Sequence, residues 1–148
     1  MNKAVNQRTE DIIVTGLLVY MAQKNNDLPE AEKLKFSIEK SATGEDKPGR
    51  ITVTAGGARK AISQSPLYNV VISCTCKTSA DDDNDKTQLA SMTSLVRDFI
   101  IDPTTKTKLT EANQNCTVIG IDEADSDTDT EDYEHLETIE FNMLWNIQ

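Results

Sequence analysis

The sequence predicts an α+β fold in which an antiparallel or mixed sheet of four to five strands carries two helices packed on one face. Three observations predict it. Two segments, 9–24 and 86–101, repeat apolar residues at helical spacing, four segments alternate them with a period of two, and a fifth, 116–122, reads as a strand with Val118 and Ile119 near its centre. The order of these segments, helix, three strands, helix, two strands, suits a sheet with its helices gathered on one side. A chain of 148 residues without a linker or internal repeat is read as one domain.

The first helix is expected over TEDIIVTGLLVYMAQK, with Thr9 as N-cap, Glu10 and Asp11 in the first turn, and Lys24 near the C-terminal end of the helix dipole. Ile13, Leu17, Tyr20 and Met21, with Ile12, Val14 and Leu18 beside them, form so broad an apolar stripe that a neighbour beyond the sheet is expected. Asn25, Asn26, Asp27 and Pro29 end the helix. LKFSIEK at 34–40 then alternates Leu34, Phe36 and Ile38 with polar residues, and RITVTA at 50–55 places Ile51 and Val53 on one face. With the turn-rich 43–49 between them, these two read as a hairpin with a long connection.

GGARKAISQSP at 56–66 reads as an ordered loop, and its glycine pair as a bulge or turn. It matches neither phosphate-binding glycine pattern. LYNVVISCTCK at 67–77 sets Tyr68, Val70, Ile72, Cys74 and Cys76 on one face. The second helix carries Leu89, Met92, Val96, Phe99 and Ile100 at helical spacing. Asp102 and Pro103 stop it, TKLTEANQ adds a helical turn, and CTVIGID at 116–122 is a strand. The last strand alternates Ile139, Phe141, Met143, Trp145 and Ile147 with mostly polar neighbours.

The charge is uneven. Asp81, Asp82, Asp83 and Asp85, with the eight acidic residues between Asp122 and Glu134, make twelve of the 25 acidic residues. Outside them 13 acidic residues face 15 basic ones, so a net charge of −10 resolves into −12 on two stretches and +2 elsewhere. Both stretches read as long polar loops. A nearly neutral body argues against general affinity for nucleic acid or anionic membranes, both of which call for a basic surface. No segment approaches the length of a membrane span or shows the pattern of an export signal, so neither a membrane partner nor secretion is expected. Three cysteines, two of them in one strand, suit a reducing compartment better than a disulfide framework.

Little in the chain points to catalysis. The one histidine, His135, lies beside Glu134 and Glu137 with no evident partner base or nucleophile, and no nucleophile elbow is present. Zinc would need Cys74, Cys76, Cys116 and His135 to converge from three strands. Asp125, Asp127 and Asp129 match the first three alternating ligands of a calcium loop, yet Thr130 and Leu136 stand where that loop needs glycine and glutamate. Neither enzyme activity nor a metal or other cofactor is expected. A calcium-binding module is retained as a minor reading, against a solvated charge run.

The outline resembles the tail-terminator and head-tail joining (neck) proteins of long-tailed bacteriophages. The resemblance rests on the opening helix, the proline-led strand SPLYNVVISC at 65–74, the acidic break before helix 86–101, and the finishing alternation TIEFNMLWNI at 138–147. It implies a structural virion protein that assembles in the host cytoplasm as a homohexameric ring. Such a ring caps the tail tube, stops its polymerisation and joins it to the head connector. Its partners are other copies, the tube protein and the connector, while DNA passes through without being bound. On that reading Asp81, Asp82, Asp83, Asp85, Asp125, Asp127 and Asp129 are candidates for lumen loops that repel DNA. Ile51, Val53, Arg59, Lys60, Phe141, Met143 and Trp145 are candidates for the subunit interface, through an edge strand near 51–55 or 139–147. A small acidic secretion chaperone is the alternative, although such proteins usually end on a dimerising helix whereas this chain ends on a strand.

Overall fold

A long run without proline or an interior glycine pair sustains the first helix well beyond its expected start. The computed structural model describes residues 2–30, 37–40, 50–60, 67–79, 83–113, 116–131 and 134–147. In it α1 spans Asn2–Asn26. Thr9 is therefore interior rather than an N-cap: it is buried, and its hydroxyl donates to the Val5 carbonyl at 2.7 Å. Glu10 and Asp11 lie in the helix body. Ile12, Ile13, Leu17, Tyr20 and Met21 are buried, as the stripe predicts, whereas Val14 is half-buried and Leu18 is exposed, so the apolar stripe is narrower than expected.

Five strands follow the expected order, most of them longer than their apolar cores. They are β1 (Ser37–Lys40), β2 (Arg50–Lys60), β3 (Leu67–Ser79), β4 (Cys116–Glu131) and β5 (Glu134–Ile147). Between β3 and β4 lie α2 (Asp83–Ile101) and α3 (Thr105–Ala112). The strands form one mixed sheet in the order β1-β2-β3-β5-β4. Leu34, Phe36 and the 41–49 connection fall outside the described residues, as do Asp81 and Asp82.

The expected hairpin between the first two strands is corrected. β1 runs parallel to β2, with Ser37 opposite Arg50 and Lys40 opposite Val53. Alternation reports faces and not direction, so both pairings bury the same residues. Nine intervening residues can reach roughly 30 Å, ample for a return past a strand of about 13 Å.

Residues 56–60, expected in a loop, continue β2 through a bulge. The register shifts between Gly56 and Arg59, and Gly57 takes a φ of 63°, which glycine tolerates without strain. The acidic residues 122–131 are likewise strand: β4 pairs with β5 from Cys116 opposite Ile147 to Glu131 opposite Glu134, with two bulges. Ser126, Thr128 and Thr130 alternate with Asp125, Asp127 and Asp129. This is a period of two without an apolar face, and hydrophobic patterning does not register it.

One face of the sheet supplies Ile51, Val53, Val70, Ile72, Cys74, Cys76, Ile139, Phe141, Met143 and Trp145, all fully buried. They meet Leu17 and Met21 of α1, Met92, Val96 and Phe99 of α2 and Leu109 of α3 in one core cluster. Tyr20 and Phe99 make an edge-to-face contact at 5.5 Å, and Arg8 lies 5.7 Å over the Trp145 ring. The neighbour expected for α1 is thus α2 and α3. Gly16 lets α3 approach α1, since a Cβ there would collide with Leu109 Cδ2.

Candidate functional site

The opposite face of the sheet follows from the same register. Thr52, Thr75 and Thr138 form one row and Thr54, Ser73 and Glu140 the next, which Asp127 and Asp125 of β4 continue. Cross-strand hydrogen bonds knit these rows, with Thr75 and Thr138 hydroxyls 3.1 Å apart and the Ser73 hydroxyl donating to Glu140 at 3.5 Å. Among the described residues no helix covers this face, and Val71 stands exposed on it. It is a broad polar surface, and Asp122, Asp125 and Asp127 hold the matching register positions on β4.

Topology places the two acidic stretches at the same end of the sheet. Ser79, Glu134 and Glu131 lie side by side across β3, β5 and β4. α2 begins at Asp83, four residues after Ser79, so Asp83 and Asp85 fall within roughly 20 Å of that row. These residues belong to the first turn of a helix rather than a loop, a position where the helix dipole favours negative charge. Arg50 and Lys77 occupy the neighbouring row at the same end. The other end of the strands holds Arg59, Lys60 and, over Trp145, Arg8.

Five of the candidate interface residues are corrected. Ile51, Val53, Phe141, Met143 and Trp145 are fully buried in the chain's own core, which leaves them no surface for a second copy. β5 is also an interior strand, bonded on one side to β3 and on the other to β4, and β2 lies between β1 and β3. The edges are β1 and β4. Arg59 and Lys60 end β2 beyond the part that β1 covers. Inward-pointing residues of a paired strand and outward-facing ones of an edge strand share the same alternation, so pattern alone does not separate them.

Each edge is capped at one point by a helix side chain. The Val118 amide of β4 donates to Thr110 Oγ1 of α3 at 2.9 Å, and the Ala58 amide of β2 donates to Asn6 Oδ1 of α1 at 3.2 Å. Past Val118 a groove of about 510 Å³ opens between the α2–α3 turn and β4. Ile101 and Ile119, 68% and 46% exposed, line it with Pro103, Asp102 and Asp122. Asp102 organises that turn: its Oδ1 accepts from the Thr104 amide at 2.8 Å and the Thr104 hydroxyl at 2.7 Å. These two hydrogen bonds hold its carboxyl below the usual aspartate value. This groove escaped the sequence reading because Ile101 and Ile119 each look like core positions.

The chemical constellations read differently in three dimensions. Cys116 pairs with Ile147 whereas His135 is twelve residues away along β5, roughly 40 Å, so the zinc set does not converge. Burial raises the Cys74 thiol, with Cys76 adding to the shift, which suits inert core residues. Asp125, Asp127 and Asp129 lie on an extended strand, where alternate residues are about 6.6 Å apart, and not on a loop coiled round one ion. No helix among the described residues is long and apolar enough to cross a membrane. No protein-family model matches the chain, and no curated protein matches it.

Proposed function

We propose that this chain is a structural virion protein of a tailed bacteriophage, a tail-terminator ring subunit that caps the tail tube, stops its growth and joins it to the head connector. The observation that carries the reading is, among the described residues, a sheet with helices on one face only, ending in a long edge strand that has no neighbour on its outer side from Gly120 to Glu131. Backbone groups along such an edge favour association with another chain. The resemblance of the opening helix, the strand at 65–74, the second helix and the terminal strand supplies the type of assembly.

The uncovered face gives the acidic residues a role in that ring. Asp122, Asp125, Asp127 and Asp129 flank it along β4, and turned toward a lumen they repel the DNA backbone and let the genome slide. Native mass across a range of protein concentrations, with negative-stain imaging, tests the assembly. The expected result is a sixfold mass and annular particles, on its own or on tube ends. A dimer whose mass does not change with concentration overturns the ring in favour of the chaperone alternative.

A further inference from the structure

We infer that subunits join edge to edge, with the free β4 edge of one copy seated against the edge that β1 and the outer part of β2 form on the next. This rests on the ring reading above and adds to it which surfaces meet. Three observations point to this contact. First, the two edges are the two ends of one five-stranded sheet, so pairing them is head-to-tail, the arrangement that generates rings when the rotation closes.

Second, the edges are opposite in charge. β4 carries six acidic residues, Asp122, Glu123, Asp125, Asp127, Asp129 and Glu131, and no basic one. The edge that β1 and the outer part of β2 form carries Lys40, Arg59 and Lys60 against Glu39, a net charge of +2 against −6; Lys40 is ion-paired with Asp11 of α1, and Arg50, buried and paired with Ser37, does not add to it. A β4 edge meeting a second β4 edge would set like charges side by side, so this partition selects against a twofold contact and for the heterologous one.

Third, among the described residues the β4 edge is closed off by its own chain at one point only. α3 caps it at Val118, and where that cap ends the groove walled by Ile101 and Ile119 leaves two large apolar side chains in solvent beside open backbone. Main-chain hydrogen bonds with an adjoining apolar pocket are what strand addition uses for affinity and register. The register positions of Asp125, Asp127 and Asp129 along β4 are unchanged in the joined sheet, so the lumen role and the contact are compatible.

Charge reversal on the full-length protein tests the pairing. Asp127→Lys with Asp129→Lys makes one protein, and Arg59→Glu with Lys60→Glu another. Each alone is expected to need at least tenfold higher concentration to assemble, while an equimolar mixture of the two recovers a mass close to that of wild type, because each reversed edge then meets its complement. Ile101→Arg, a change at an exposed site, is expected to weaken assembly without altering the melting temperature. Circular dichroism and melting of each protein show that it is folded. If either reversed protein is folded and assembles as wild type does, or the mixture stays unassembled, the edge assignment is overturned while the ring reading stands on the wild-type mass. A wild type that remains monomeric at every concentration and on tube ends removes both.

Discussion

The two halves of β4 are one strand on one partner, yet they belong to different physical regimes. From Cys116 to Ile121 the strand is apolar and lies under helices: Val118 is buried opposite Trp145, its amide is capped by Thr110, and Ile121 packs against the core. From Asp122 to Glu131 it is Asp, Glu, Ser and Thr, with an alanine at 124, and its pairing with β5 continues. Strand structure thus persists where hydrophobic burial stops, because β5 is itself fixed by β3 on its other side. The first half holds the fold together.

The largest test of this contrast lies opposite Val118. Trp145→Ala empties a fully buried site beneath the first half and is expected to cost about 3–5 kcal/mol, read from urea unfolding midpoints. Next is the helix cap. Thr110→Val removes the acceptor of the Val118 amide and should cost about 1–2 kcal/mol, with faster hydrogen exchange at Val118 and unchanged exchange in the distal half. A loss shared by the whole strand would show that the halves do not behave separately.

Changes in the distal half should be far smaller for the monomer. Asp125→Asn with Asp127→Asn is expected to shift unfolding by no more than about 0.5 kcal/mol, and toward stability, since it relieves self-repulsion along the strand. Added salt should reduce that difference by screening it.

The smallest effect concerns the groove between the halves. The Asp102 carboxyl titrates below its unfolded value of about 3.9, so its stabilising contribution is complete above that pH and is lost as pH falls through the lowered folded value. Asp102→Asn should therefore lose stability less steeply than wild type below about pH 4, in urea midpoints taken from about pH 5 down to pH 3. Equal slopes would mean that the Thr104 hydrogen bonds do not favour the charged form.

How much of this was legible beforehand follows from what each signal reports. The alternation of Val70, Ile72, Cys74 and Cys76 and of Ile139, Phe141, Met143 and Trp145 marks buried faces, and the helical spacing of Leu89, Met92, Val96, Phe99 and Ile100 marks a helix; all of these lie in the core. The α+β class and the order of elements follow from them. The distal half of β4 was not legible, because its alternation is of Asp with Ser and Thr and carries no hydrophobic period. The same holds for the continuation of β2 through Gly56 and Gly57, where a bulge resembles a turn.

By itself, then, the sequence determined which faces are apolar, where the helices lie and how the charge divides, since each of these is a property of residues near one another in the chain. Only the tertiary structure decided the parallel pairing of β1 and which strands form the edges. Those depend on strand order and direction, which are fixed by contacts between segments distant in sequence. A period of two is blind to both.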